Sequence, residues 1–294
     1  MNPLVNIDIE AWDAAPPEDL TQRAIAALEN GRLLFFPRLT FSLKHEELPF
    51  LDPRCSDGRA KNVSYDPVTG DLKGTRLAGA DRERLRALIA RYCLSAQALA
   101  GSVLPAYRPH IRPGRTSYRP LEIQGRMSSY RKDDTRLHVD AFPSRPNGGE
   151  RILRVFTNVN PLGQARLWRV GEPFPVCAER FLPSLPRPVP GASGLLRALG
   201  LTRGTRTPYD HYMLALHDSM KRDIRYQERC AQCEVPFPSG TTWIVFTDQV
   251  PHAAMSGQYV FEQTFRVPVA GLKDPATSPL RVLERLLGRT LAHA

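Results

Sequence analysis

Thr241-Thr242-Trp243-Ile244-Val245-Phe246-Thr247-Asp248-Gln249-Val250-Pro251-His252 is a β-rich run that ends in a histidine, and it is entered through the turn-forming stretch Pro236-Phe237-Pro238-Ser239-Gly240. A further strand is predicted over 259–269. In it Val260, Glu262, Thr264 and Arg266 share one face and Tyr259, Phe261, Gln263 and Phe265 the other, because side chains alternate along an extended chain. Another β-rich set precedes these segments, over about 122–170. Two such sets separated by an insertion at about 175–235 predict a mainly β chain with helical additions, built on a double-stranded β-helix, or jelly-roll barrel.

Working back toward the N-terminus, Gln124-Gly125-Arg126-Met127-Ser128-Ser129-Tyr130 alternates in polarity and predicts a strand leading into the loop that carries His138-Val139-Asp140. On an extended segment His138 and Asp140 point the same way while Val139 faces away. Together with the distant His252 they offer two imidazoles and one carboxylate. That set holds non-haem ferrous iron on one face and leaves the other open to a chelating cosubstrate and dioxygen. A plainer reading of the same residues makes His138 a loop cap and His252 a hydrogen-bonded core histidine.

The rest of the chain reads as support. A helix is predicted over 19–30, with Asp19 or Thr21 as its cap and Gly31 at its far end, followed by an interior strand over 32–37. Residues 51–75 read as loop with short strands. The helix over 80–103 carries Leu85, Leu88, Ile89, Tyr92 and Leu99 at helical spacing and is suited to bracing a sheet. The predicted organisation is an extension over 1–105, a catalytic core over 106–270 and a C-terminal amphipathic helix over 271–294.

At 294 residues, with 42% hydrophobic and 24% charged residues, the composition is that of an ordinary soluble globular protein. No apolar run approaches a membrane span and the first residues lack a basic region and an apolar signal core, which points to the cytoplasm. Five unevenly spaced cysteines make no disulfide framework. The lone Cys230-Ala231-Gln232-Cys233 pair suits free thiols better than structural zinc. The net charge of +10 is concentrated: between Gly101 and Arg206 there are 18 Lys and Arg against 7 Asp and Glu. Such a field draws in anions. A solvated basic surface is the bland alternative, and nucleic acid is disfavoured because the cations lie on no single recognition helix and accompany no aromatic RNA-binding signature.

The stretch Arg131-Lys132-Asp133-Asp134-Thr135-Arg136-Leu137-His138-Val139-Asp140-Ala141-Phe142-Pro143-Ser144-Arg145-Pro146 resembles the Kdo hydroxylase family. The likeness continues through Arg151 to Pro161, Arg166 to Phe174 and Leu216 to Lys221, and so covers most of the chain. These are iron(II)/2-oxoglutarate dioxygenases acting on 3-deoxy-D-manno-oct-2-ulosonic acid (Kdo) in the inner core of bacterial lipopolysaccharide. The resemblance implies Fe(II), 2-oxoglutarate and dioxygen as cofactor and cosubstrates, with His138, Asp140 and His252 as the iron ligands. It also implies hydroxylation at carbon 3 of the Kdo of Kdo-lipid A. Arg266 is the expected clamp for the far carboxylate of 2-oxoglutarate, assisted by Thr264, with Tyr130, Arg154 and Asn158 as weaker candidates. For substrate anions, Arg126, Arg131, Arg136, Arg145 and Arg169 stand near the motif.

Two segments set leucines beside arginines: residues 181–201, flanked by Arg203 and Arg206, and the C-terminal stripe of Leu280, Leu283, Leu286, Leu287 and Leu291 beside Arg281, Arg285 and Arg289. Each predicts either an anionic membrane surface at the inner face of the inner membrane, or simple packing, on the barrel for the first and on a partner subunit of a homo-oligomer for the second. The rival functions are an iron/2-oxoglutarate oxygenase for another anionic lipid or small molecule, a metal enzyme that uses no 2-oxoglutarate, and a noncatalytic anionic-lipid-binding barrel.

Overall fold

In the computed structural model, which describes residues 2–125, 128–189 and 191–292 (the backbone alone for Ala192 and Leu196), two β-sheets face each other without closing into a hydrogen-bonded barrel. The larger sheet is built from β1 (Leu4–Asn6), β2 (Leu33–Phe36), β3 (Val63–Tyr65), β4 (Leu72–Lys73), β5 (Arg112–Arg119), β6 (Arg151–Asn158), β9 (Thr242–Phe246) and β11 (Val260–Val267). Their order is β1-β2-β9-β6-β11-β5-β3-β4. The smaller sheet runs β10-β7-β8, from β7 (Arg166–Val170), β8 (Cys233–Phe237) and β10 (His252–Ser256). After β6 the chain crosses to the smaller sheet for β7 and β8, returns for β9, and crosses again for β10 before β11, as in a jelly roll, although the expected closed barrel is an open sandwich.

Aromatic side chains fill the space between the sheets. Trp243 stacks on Phe237 at 4.0 Å and on Phe156 at 5.2 Å, while Trp168 meets both Phe156 and Trp243 edge-on. Burying one such ring contributes roughly 2–3 kcal/mol. On the outer face of the large sheet, α1 (Glu18–Glu29) and α2 (Gly79–Val103) bury Ile25, Leu28, Leu85, Leu88 and Ile89 in one core with Phe261 and Phe265. This is the bracing role that the helical spacing predicts.

A separate core is assembled by the insertion. Helices α3 (Phe174–Phe181), α4 (Ala192–Ala198), α5 (Pro208–Arg222) and α6 (Ile224–Arg229) follow β7, and α7 (Pro279–Leu287) ends the chain. Phe174, Phe181, Tyr209, Met213, Leu216 and Tyr226 pack there with Leu280, Val282, Leu283 and Leu291. The C-terminal leucine stripe is therefore spent inside this chain, and of the arginines beside it Arg281 pairs with Glu284 and Arg289 donates to the Tyr212 hydroxyl.

Two departures from the sequence reading bear on the site. Among the described residues of the alternating stretch 124–130 no strand forms: Gln124 and Gly125 make a turn, and a short 3-10 helix spans Tyr130–Lys132. Glu122 explains the break, since its carboxylate accepts the backbone N–H groups of Ile123 and Gln124 and a ladder partner cannot, while Gly125 takes φ +81°. Arg126 lies outside the described residues. In place of that strand, β5 carries the edge of the site, despite Pro113 and Gly114.

Candidate metal centre

His138 and His252 are brought together by the backbone before any ion is considered. His138 N–H donates to His252 O at 3.1 Å and His252 N–H returns to His138 O at 2.9 Å, and Asp140 N–H donates to Thr247 O at 2.8 Å at the end of β9. Val139, between the two upstream residues, points into the helical core. The alternation expected of an extended segment is thus present, and it turns His138 and Asp140 to the same side.

Each ring is oriented by a main-chain carbonyl. Nδ1 of His138 lies 2.7 Å from Arg136 O and Nδ1 of His252 lies 2.8 Å from Val250 O, so each Nδ1 is the protonated nitrogen and each Nε2 is left as a lone-pair donor. Trp168 stacks on His252 at 5.0 Å and holds its plane. Burial, together with each other's proximity, pushes the His138 pKa well below the ordinary value, and burial likewise lowers that of His252. Asp140 is buried, yet the neighbouring Arg154 guanidinium and the two imidazoles hold its carboxyl below the usual carboxylate range. Neutral imidazoles and an ionised carboxylate are the protonation states that ligation needs. One ligand atom from each of the three side chains falls within 4.8 Å of the others, and among the described residues this is the group of His, Cys, Asp and Glu side chains that converges in this way. The donor set, two nitrogens and one oxygen on one face, fits a ferrous ion. The cysteines are unpaired thiols and join no such group among the described residues.

Asp140 opens onto a cavity of about 530 Å³. It is also lined by the β11 face predicted from the sequence, where Glu262, Thr264 and Arg266 stand together with Arg154, the register partner of Thr264 on β6. Arg266 is largely buried, its guanidinium lies 5.3 Å from the Phe142 ring, and its Nη1 is shielded from solvent with no hydrogen-bond partner. Burial lowers its pKa and the charge of Asp248 opposes that shift. An unpartnered buried guanidinium in a cavity is built for an anion. A second, larger cleft of about 750 Å³ lies behind Val250 and Pro251, but none of the three candidate ligands lines it.

The other candidates divide. Arg145 lines the cavity, where burial and the charges of Arg115, Arg203 and Arg266 depress its pKa. Arg131 instead pairs with Asp218, Arg136 ties Asp133 to Lys221 O, and Arg169 donates to Thr135 O and touches the Met255 sulfur. These three shape the walls and do not line the space. Tyr130 is covered by the Arg131 guanidinium, and Asn158 spends its amide on Gln164 O and Phe237 O, so neither reaches the cavity.

Residues that sequence reasoning passed over are Lys61, Arg115, Arg119 and Asp134, all in the lining. Lys61 bridges to Asp134 at 2.7 Å from a loop that carries no periodic signal. On α5, His217 meets His138 edge-on at 5.3 Å.

The family model described as 3-deoxy-D-manno-oct-2-ulosonic acid (Kdo) hydroxylase matches residues 11–290. Among solved structures, the chain is similar to the Kdo hydroxylase KdoO, a non-haem Fe(II) α-ketoglutarate-dependent dioxygenase. Against its complex with α-ketoglutarate and Fe(III) the identity is 49% and the TM-score 0.95, covering 99% of this chain and 97% of that one. Against its cobalt(II) complex these are 50% and 0.97, covering 99% and 98%. Against its complex with succinate and Fe(III) they are 49% and 0.96, again covering 99% and 98%. No curated protein sequence matches.

Proposed function

Because the chain belongs to the Kdo hydroxylase family and is an Fe(II)/2-oxoglutarate-dependent dioxygenase that hydroxylates Kdo, we propose that its substrate is the Kdo of Kdo-lipid A and that the hydroxyl enters at carbon 3. The observation that carries the reading is the convergence of His138, Asp140 and His252, with Asp140 lining a cavity that is also lined by Arg266, whose Nη1 is buried without a partner. When bound, ferrous iron would supply the oxidising chemistry, in which 2-oxoglutarate and dioxygen are converted to succinate and carbon dioxide, one oxygen atom entering succinate and the other a substrate C–H bond.

The protein's part is to bind and orient. In this reading the Nε2 atoms of His138 and His252 and the carboxylate of Asp140 hold the ion. Arg266 receives the far carboxylate of 2-oxoglutarate, a planar fork matching a planar anion, and Thr264 stands beside it on the same strand face. Arg145 and Arg115, neighbouring cations on the same cavity wall, meet the carboxylate or phosphates of the substrate. Of the five arginines proposed from sequence for this task, Arg126 lies outside the described residues, and among the other four Arg145 is the one that lines the cavity. Incubating the protein with Kdo-lipid A, Fe(II), 2-oxoglutarate and air is expected to add one oxygen to the Kdo unit and to release succinate in equal amount, read by mass spectrometry. Succinate release with no oxygen gain on the glycolipid would assign another acceptor.

A lipid-anchored sugar has to be met near a membrane, and the border of the cavity supports this. No helix among the described residues is long and apolar enough to cross a bilayer. The segment around α4, however, exposes Leu195, Leu199 and Leu201 at 62, 63 and 59% beside Arg197 and Arg203. It is fastened to the cavity rim, since Arg203 N–H donates to Ser144 O and Arg206 to Pro143 O, next to the lining residues Phe142 and Arg145. We assign membrane contact to this segment and not to α7, whose leucines are packed inside. The protein is expected to float with anionic liposomes at low salt and less at physiological salt. The double variant Leu195→Ser, Leu199→Ser should lose that flotation, and absence of binding by the unaltered protein at either salt would remove the assignment.

A further inference from the structure

Asp140 has two carboxylate oxygens, and the fold treats them differently. Oδ1 lies 3.8 Å from Nε2 of His138, on the side of the ligand group. Oδ2 lies 2.8 Å from Nη2 of Arg154, an ion pair by distance although not aligned as a hydrogen bond. Arg154 is anchored in turn: its Nη1 donates to Oε1 of Glu262 at 2.6 Å, and Oε2 of Glu262 accepts from Arg119 Nε at 2.9 Å and from Arg119 Nη2. All four side chains are buried or nearly so. They form an alternating row of charges across β5, β11 and β6 that terminates on the candidate ligand. A row serving only to knit the strands together has no need to end there.

Carboxylates bind metals through one oxygen or both. An octahedral ion that holds three protein atoms and both ends of a chelating cosubstrate has one position left for dioxygen. A two-oxygen grip by Asp140 would fill that position. We propose that Arg154, set in place by Glu262 and Arg119, retains Oδ2 and so restricts Asp140 to single-oxygen ligation, keeping the dioxygen position vacant. This rests on the assignment of His138, Asp140 and His252 as ligands. Arg154 and Glu262 are then positioning residues, and their effect is on access to the metal and not on its capture.

Nitric oxide, a stand-in for dioxygen, reports that position by electron paramagnetic resonance when added anaerobically to the protein loaded with Fe(II) and 2-oxoglutarate. Arg154→Gln and Glu262→Gln are expected to keep iron stoichiometry, and the nitrosyl signal is read at saturating 2-oxoglutarate. Their nitrosyl signal at limiting nitric oxide should fall by roughly tenfold for Arg154→Gln, the loss of one charge-assisted contact, and by less for Glu262→Gln. Arg154→Lys should restore part of it. A full nitrosyl signal in both glutamine variants overturns the proposal, and so does loss of iron from both, which would make the row a metal-capture device. The Glu262 variant decides alone should Arg154→Gln not fold. The ligand assignment fails separately, through a His138→Ala variant that keeps its iron.

Discussion

Replacing His138 or Asp140 by alanine is expected to abolish Kdo hydroxylation and stoichiometric iron binding while leaving the fold in place. The argument is one of geometry and charge. His138 Nε2 and Asp140 Oδ1 face the same point as His252, and no other His, Cys, Asp or Glu among the described residues joins the group to substitute for either. Losing a ligand removes the ion that carries the oxidation, so turnover should drop by about 10³-fold or more. The fold tolerates the loss because the main-chain bonds His138 N–H to His252 O and Asp140 N–H to Thr247 O do not involve the deleted side chains. Arg154 also keeps Glu262 as a counter-ion in the Asp140 variant. Iron analysis, circular dichroism and the oxygen-gain assay together check this. Wild-type iron content with wild-type turnover in both variants would end the assignment.

Replacing Arg266 by alanine should act on the cosubstrate. Its Nη1 is buried without a partner, and the cavity offers it an anion to grip. A two-pronged charged contact is worth roughly 3–4 kcal/mol, so the 2-oxoglutarate concentration for half-maximal rate should rise on the order of 10²-fold, with a smaller change in the rate at saturation. Lysine should not restore it, since an ammonium cannot match the two parallel bonds. Steady-state kinetics in 2-oxoglutarate decide the matter. An unchanged requirement would move the clamp to another cation of the lining, with Arg154 and Arg145 its neighbours.

What could be seen in the chain beforehand follows the range of the signal. Side chains two apart on an extended segment share a side, so the pairing of His138 with Asp140 and the face formed by Glu262, Thr264 and Arg266 were legible from local spacing alone. The strand expected over 124–130 failed because alternation says nothing of the Glu122 carboxylate that takes the backbone donors. Arg115 and Arg119 escaped because Pro113 and Gly114 disguise the strand that presents them, and Lys61 because a loop residue's partner, here Asp134, is 73 positions away. Leu280 and Leu283 lie on α7, with Leu291 beyond its end, and their spacing is the same for a helix on a membrane and for one docked on its own core. Glu262 stood on the predicted face without a role, since only tertiary contact reveals that it lies between two arginines.

The mutual pair of main-chain bonds between His138 and His252 has one more consequence. In small zinc-dependent modules the ion is the glue and the chain collapses when it is stripped. Here main-chain bonds already set the two imidazoles side by side, so the fold is expected to stand without the ion. Stripping the metal with a chelator is expected to leave the circular dichroism spectrum unchanged, with activity returning when Fe(II) is added back.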